Sequence, residues 1–327
     1  MPQMPPLNDP WLIAVWPGMG GVARMAGEYL GTKLDMRLVG EFPSDRFFEL
    51  DHVTVKQGVT RPGARPRCPL LLWQDPRQQH DIILLLGETQ PPIGAYRLCE
   101  ELTEQARTWG VCRVIAFAAM ATQMHPSQSA RVFGAVTHEP LLDEIKSFGV
   151  EPLEDGQIGG MNGLMLAAAQ QQGIESVCLL GEMPYFATQI PNPKASRTAL
   201  DVFVRMAGIE LDFAELDQQA REIDNQLIQL VEQLQRRAEE AETAEDGDGG
   251  FPAPEIAGQP SSAQEPGESG EPKEPELDRP ARRRIEQLFE QAGQDRSTAF
   301  QLKRELDRLG VFGQYEDRFL DLFKRGE

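Results

Sequence analysis

The chain has 327 residues, with 32 Lys and Arg against 51 Asp and Glu, a formal net charge of −19 at pH 7. That balance argues against a general nucleic-acid binder, because phosphate contacts need clustered cations, and against docking on an anionic membrane surface. The length suits two or three domains, or one large body with appendages.

In chain order, residues 11–16 are a short apolar run closed by the turn Pro17-Gly-Met-Gly-Gly21. A helical period follows through Val22, Met25, Ala26, Tyr29 and Leu30. Residues 53–72 are less regular and read as an antiparallel excursion. Residues 81–86 form a second apolar strand closed by Gly87, and 94–109 have helical spacing through Tyr96, Leu98, Leu102 and Ala106. A third strand is predicted over 111–117. A short helix is predicted over 141–148, a helix over 163–172 stopped by Gly173, and a strand over 176–180. Near-continuous apolar strands separated by helices predict an α/β fold, a three-layer, mostly parallel sheet with flanking helices.

From residue 193 the pattern is helical. Ala199, Leu200, Phe203, Val204 and Ala207 share a face that ends at Gly208. Asp212 is placed to cap a longer helix through Leu216, Ala220, Ile223, Leu227, Leu230 and Leu234. Residues 238–280 then hold 13 acidic residues against Lys273 and Arg279, a net of −11. Rich in Pro, Gly and Ser, this stretch cannot bury enough apolar area to offset its ordering entropy, so it is predicted to be disordered. Three helical periods follow to the end, too short for a strong core of their own. They are expected to dock on the body, on another copy or on a partner. The expected divisions are therefore an α/β domain over 8–237, an acidic disordered linker over 238–280 and a small all-α module over 281–327.

No uninterrupted apolar run approaches the ~20 residues needed to span a bilayer. The start, Met1-Pro-Gln-Met-Pro-Pro6, lacks a charged stretch followed by an apolar one. Cys68, Cys99, Cys112 and Cys178 show no metal-ligand spacing, and the last three sit in apolar patterns as small hydrophobes. A cytoplasmic protein with reduced thiols is expected, with no metal and no cofactor.

Candidate site residues cluster in three places. Gly18, Gly20 and Gly21 lie between a strand and a helix, where backbone N–H groups can meet an anion. Tight packing of helix on sheet is the favoured reading, since Ala23 and Arg24 break any dinucleotide fingerprint. Two strands end alike, in Leu85-Leu-Gly-Glu88 and Leu179-Leu-Gly-Glu182. If these strands are neighbours, Glu88 and Glu182 face one crevice beyond the sheet's C-terminal edge, where paired carboxylates do acid–base work. Otherwise each carboxylate binds within its own turn. The third place is 156–163, with four glycines in eight residues, among them Gly160 and Gly163, and with Asn162 before a helix. Such a backbone passes close to a ligand, to a neighbouring subunit or to its own sheet, and Asn162 is a candidate N-cap. His52, His80, His125 and His138 are scattered and form no metal or triad pattern.

Taken together, Gly159-Gly-Met-Asn-Gly163, Gly173-Ile174, Cys178-Leu-Leu-Gly-Glu-Met-Pro184 and Pro191-Asn-Pro193 resemble the PAC2, or proteasome assembly chaperone, family. The Pro17–Gly21 turn and the Gly87-Glu88 strand end fit it as well, so the resemblance covers residues 8–235. The tail through Leu302-Lys-Arg-Glu-Leu-Asp307 and Tyr315-Glu-Asp-Arg-Phe-Leu320 resembles the C-terminal helical extension of bacterial PAC2-like proteins. The resemblance implies a body similar in shape to nucleoside phosphorylases, working as a homo-oligomer, a trimer or tetramer, with a protein client. In relatives the role is non-enzymatic, guiding proteasome subunits into rings. The chain ends Arg325-Gly-Glu327 rather than in a hydrophobic-Tyr-any tripeptide, so docking on a proteasome by that tail is not expected. The leading expectation is a non-catalytic oligomeric scaffold or assembly chaperone. The alternative is a small-molecule enzyme, binding a nucleotide- or nucleoside-like ligand in the crevice.

Overall fold

The computed structural model describes residues 4–50, 52–245 and 284–289, together with Leu302, Leu306, Tyr315 and Arg318. The chain divides into two units, Met1–Gly250 and Phe251–Glu327.

β1 (Trp11–Val15) is apolar and buried at every position, as a strand covered on both faces must be. β6 (Ile82–Leu86) and β7 (Arg113–Thr122) flank it in parallel, and β10 (Glu175–Pro184) joins β7, also parallel. β5 (Pro69–Trp73) is antiparallel to β6, and β2 (Arg37–Glu41) is antiparallel to β5. On the other side β8 (Val132–Val136) is antiparallel to β10, and the two-residue β9 (Glu151–Pro152) pairs with β8 in parallel. The full order is β2-β5-β6-β1-β7-β10-β8-β9. The sheet is therefore parallel at its centre and antiparallel towards its flanks, more mixed than the apolar runs suggested. For β5 and β6 the connection supplies the reason: a parallel neighbour needs a crossover of a dozen residues or more, and their link is shorter than that.

The irregular stretch 53–72 resolves into two parts. Its end is β5. Its start is a separate hairpin of β3 (Val53–Lys56) and β4 (Val59–Pro62), which forms its own two-stranded sheet. Gln57 and Gly58, with φ of 52° and 78°, make the two-residue turn that suits a twisted hairpin. Because β2 runs in the same direction as β6 and β1, the chain leaves it at the C-terminal edge of the central strands. The hairpin rises from that edge, and β5 begins there.

Alternation sorts the core into two layers. Ile13 and Val15 face α1 (Val22–Lys33) and α5 (Pro193–Met206) through Ala26, Leu30, Leu200 and Phe203. Leu12, Ala14 and Trp16 face α2 (Ala95–Thr108) and α4 (Gly160–Gln171) through Leu98, Leu102, Met161 and Met165. α3 (Pro140–Ser147) covers β8 through Leu141 and Ile145. α6 (Ala214–Glu245) lies on α5, with Asp212 Oδ1 accepting from the Ala214 N–H at 3.0 Å.

Several boundaries move. β7 runs on to Thr122 and β10 to Pro184, past the predicted ends at 117 and 180, so Glu182 lies within its strand opposite Met120 and not beyond the sheet edge. α4 starts at Gly160, three residues before the predicted start. α6 continues to Glu245, eight residues into the segment assigned to the acidic linker. Glu and Ala dominate 238–245, and both are strong helix formers. The remainder of the predicted linker lies outside the described residues. Within the second unit, 284–289 are helical, with Ile285 and Phe289 buried. Arg318 grips Glu286 through both guanidinium nitrogens at 2.6 Å and stacks 4.3 Å over Phe289. Leu302 and Leu306 of the second predicted period are helical and buried, Tyr315 of the third is helical, and the remaining positions of these two periods lie outside the described residues. Among the described residues no helix is long and apolar enough to cross a membrane.

Candidate functional site

The turn after β1 is held by its own backbone. The Gly20 N–H donates to Thr188 O at 2.7 Å and the Gly21 N–H to Gly18 O at 3.0 Å. Asn192 N–H returns a bond to Gly20 O at 2.8 Å. These two donors are thus committed within the protein and do not point at an anion. Gly20 sits at φ 59°, and a Cβ there would stand 2.9 Å from the Met183 methyl. Tight packing accounts for this glycine.

The glycine-dense bend closes on itself. A Cβ on Gly163 would lie 2.2 Å from the carbonyl oxygen of Ile158, so the first turn of α4 lies against the loop that leads into it. Gly160 takes φ +72° beside the Gln90 side chain. The neighbour found at Gly163 is the preceding loop, which is none of the three the sequence left open. Asn162 is not an N-cap. It sits inside α4, buried, with Oδ1 accepting from the Trp16 N–H at 3.2 Å and Nδ2 directed at Trp16 O at 3.5 Å. Gln90 adds a second strap, donating to Pro17 O and accepting from the Met161 N–H at 3.2 Å. Together they fasten α4 to the end of β1.

Glu88 and Glu182 do not share a crevice. β1 and β7 lie between their strands, a separation of about 14 Å at the usual interstrand spacing. Glu88 accepts from the Arg67 N–H at 2.9 Å and faces its guanidinium. Glu182, almost fully buried, accepts two bonds from the Arg131 guanidinium, at 2.6 and 3.0 Å. Thr122 Oγ1 donates to it at 2.8 Å and the Arg131 N–H at 3.1 Å. The Arg131 guanidinium, then the Thr122 hydroxyl, hold the Glu182 carboxyl down at about 2 against the cost of burial. A carboxylate so fully paired is a poor proton acceptor near neutrality.

A cavity of about 520 Å³ does open at the C-terminal edge. Gly18 and Asn162 border it, and Gly20, Gly21, Glu88, Gly160, Gly163 and Glu182 do not. Its walls are mainly apolar, from Met19, Leu153, Ile158, Leu180 and the alanines near the end of β7. Asp155 is the sole charged residue in the lining, and Gln157 stands next to it but one. Asp155 and Arg131 went unremarked in the sequence because each lies in a loop with no periodic signal. Glu182 borders a second, polar hollow of about 450 Å³ with Thr122, Gln128 and Arg131.

Other reactive types are quiet. Burial pushes the thiols of Cys99 and Cys178 up to about 12. Cys112, expected in the core, is exposed at its strand's start. His125 Nδ1 faces Ser127 Oγ at 2.8 Å within its own turn. Among the described residues no three His, Cys, Asp or Glu come together as they would to hold a metal ion.

A large sheet flanked by helices is the frame that comparison with solved structures returns. Pyrococcus furiosus PbaB, an archaeal proteasome activator, aligns at 26% identity and TM-score 0.57, over 72% of this chain and 96% of its own. PbaA of the same organism, an archaeal homolog of proteasome-assembly chaperone, aligns at 26% and 0.55, over 74% and 96%. A PAC2 family protein of Streptomyces avermitilis shares the fold at 21% identity and TM-score 0.57, over 68% and 96%. In sequence, the uncharacterized protein MJ1210 of Methanocaldococcus jannaschii is 30% identical over 244 residues, 72% of this chain and 86% of its own. The PAC2 family profile matches residues 12–231, and the chain belongs to the PAC2 family.

Proposed function

We propose that the protein is a non-catalytic PAC2 scaffold, a homo-oligomer that assists the assembly of a protein client in the cytoplasm. One observation carries the reading. The polar groups that sequence alone offers for chemistry are engaged in holding the fold: two N–H groups of the turn, Asn162 on Trp16, and Glu182 on Arg131. What remains at the sheet edge is apolar wall and exposed apolar side chains, the material of a protein contact rather than of a reaction. The likeness to PbaA, a homolog of proteasome-assembly chaperone, and to PbaB, a proteasome activator, supports a client of that general kind.

The test pairs two measurements on the full chain. Affinity capture followed by intact-mass measurement should recover self-copies together with a defined client. Thermal melting with ATP, adenosine, inorganic phosphate and Mg²⁺ should leave the midpoint unchanged. A saturable rise with one of these ligands, lost when a cavity-lining residue such as Asn162 is changed, would favour the small-molecule reading instead.

A further inference from the structure

The β3–β4 hairpin gathers three exposed valines on eight residues. Val53, Val55 and Val59 are 57%, 62% and 60% exposed, and every residue of both strands is exposed. An isolated two-stranded ribbon is marginal in water, and one displaying three valines is a contact surface in want of a partner. Its register places Lys56 opposite Val59 and Thr54 opposite Arg61, so these four share one face. With Arg65 and Arg67, residues 53–67 carry four cations and no acid, in a chain of net charge −19. The side chains of Lys56, Arg61 and Arg65 make no hydrogen bond or ion pair among the described residues. One end of this ribbon is thus both aliphatic and cationic.

The cavity offers the complement. Its walls are aliphatic, and Asp155 is the charge in its lining, with Glu154 exposed beside it. Neither acid has a hydrogen-bond or ion-pair partner among the described residues. Met19, at its border, is 46% exposed. Hairpin and cavity both stand on the C-terminal edge of the sheet, the hairpin above β2 and β5 and the cavity above β7 and β10. Two features on one edge, complementary in charge and apolar character, suit a two-fold pairing in which the same edges meet.

We propose that two copies of this chain meet by their C-terminal sheet edges and exchange hairpins. The Lys56–Val59 end of each enters the other's cavity, with Lys56 and Arg61 set against Glu154 and Asp155. This rests on the homo-oligomer part of the proposed function and supplies its contact. Reciprocal exchange makes the pair the unit of assembly. A tetramer follows by joining two pairs, whereas a trimer does not.

The experiment is a charge swap read by native mass measurement and sedimentation of the full chain. One variant combines Lys56→Glu with Arg61→Glu, the other Glu154→Lys with Asp155→Lys. All four positions are exposed, so both variants should keep the wild-type far-UV circular dichroism spectrum, and their melting midpoints should fall only by the stabilisation that self-association supplies. Each variant alone brings like charges together and should weaken self-association about a hundredfold. Mixed, the negative hairpin meets the positive cavity and the positive hairpin the negative cavity, so a one-to-one pair should reappear. Wild-type assembly should also weaken as salt rises. The proposal is overturned if either variant alone assembles as the wild type does, or if mixing restores nothing. If the wild type is itself a single chain at micromolar concentration, the homo-oligomer reading falls as well, so the two failures are distinguishable.

Discussion

Glu182 illustrates how a residue of catalytic type can serve structure. Its folded pKa of about 2 lies below the ordinary 4.5, so ionisation favours the folded state. That contribution is complete above about pH 4.5 and is lost as pH falls from there towards 2, and it amounts to about 2–3 kcal/mol. Glu182→Gln should lower stability by roughly that amount at pH 7, and the variant should lose less stability than the wild type between pH 4.5 and 2. Chemical denaturation at several pH values measures both. Gly163→Ala separates propensity from packing. Alanine favours a helix over glycine by about 1 kcal/mol. Here its Cβ would meet Ile158 O at 2.2 Å, so a net loss of about 1–3 kcal/mol is expected in the melting midpoint. Asn162→Ala leaves the buried Trp16 N–H without its acceptor and should cost about 1–3 kcal/mol. The close approach at Gly163 could be read from glycine density. The role of Asn162 could not, because its partner lies 146 residues away.

Elements show the same division between near and far. The apolar runs of β1, β6 and β10 and the 3.6-residue periods of α2 and α5 were readable because burial on one or both faces writes itself into local sequence. The hairpin was harder to place, since β3 and β4 bury no residue and their valines carry no inward face to phase them. Glu182 pairs with Arg131 and Glu88 with Arg67, not with each other, which shows why strand order matters: similar strand ends imply a shared crevice only when strands adjoin. α6 makes a separate prediction. Leu216 and Leu227 are buried and Leu230 is partly exposed, so the first part of the helix anchors it. Leu216→Ala and Leu227→Ala should each cost about 2–4 kcal/mol, and Leu230→Ala about 1 kcal/mol or less. Urea unfolding of the three variants would order them.

At the scale of the molecule, the parallel centre sets the cavity where α/β sheets usually receive ligands, and its side chains make it a poor reaction site. An aliphatic wall with one carboxylate and no anion cradle suits an aliphatic, cationic visitor. The family resemblance was legible because its glycine and proline positions are local, whereas the charge and apolar character of the sheet edge depend on which loops the fold brings there. The most direct test of the central claim is the native mass of the full chain, measured with and without ATP, adenosine, phosphate and Mg²⁺. A stable even-numbered multiple of the single-chain mass, indifferent to every ligand, is the predicted result. A single-chain mass that gains one stoichiometric ligand would contradict it.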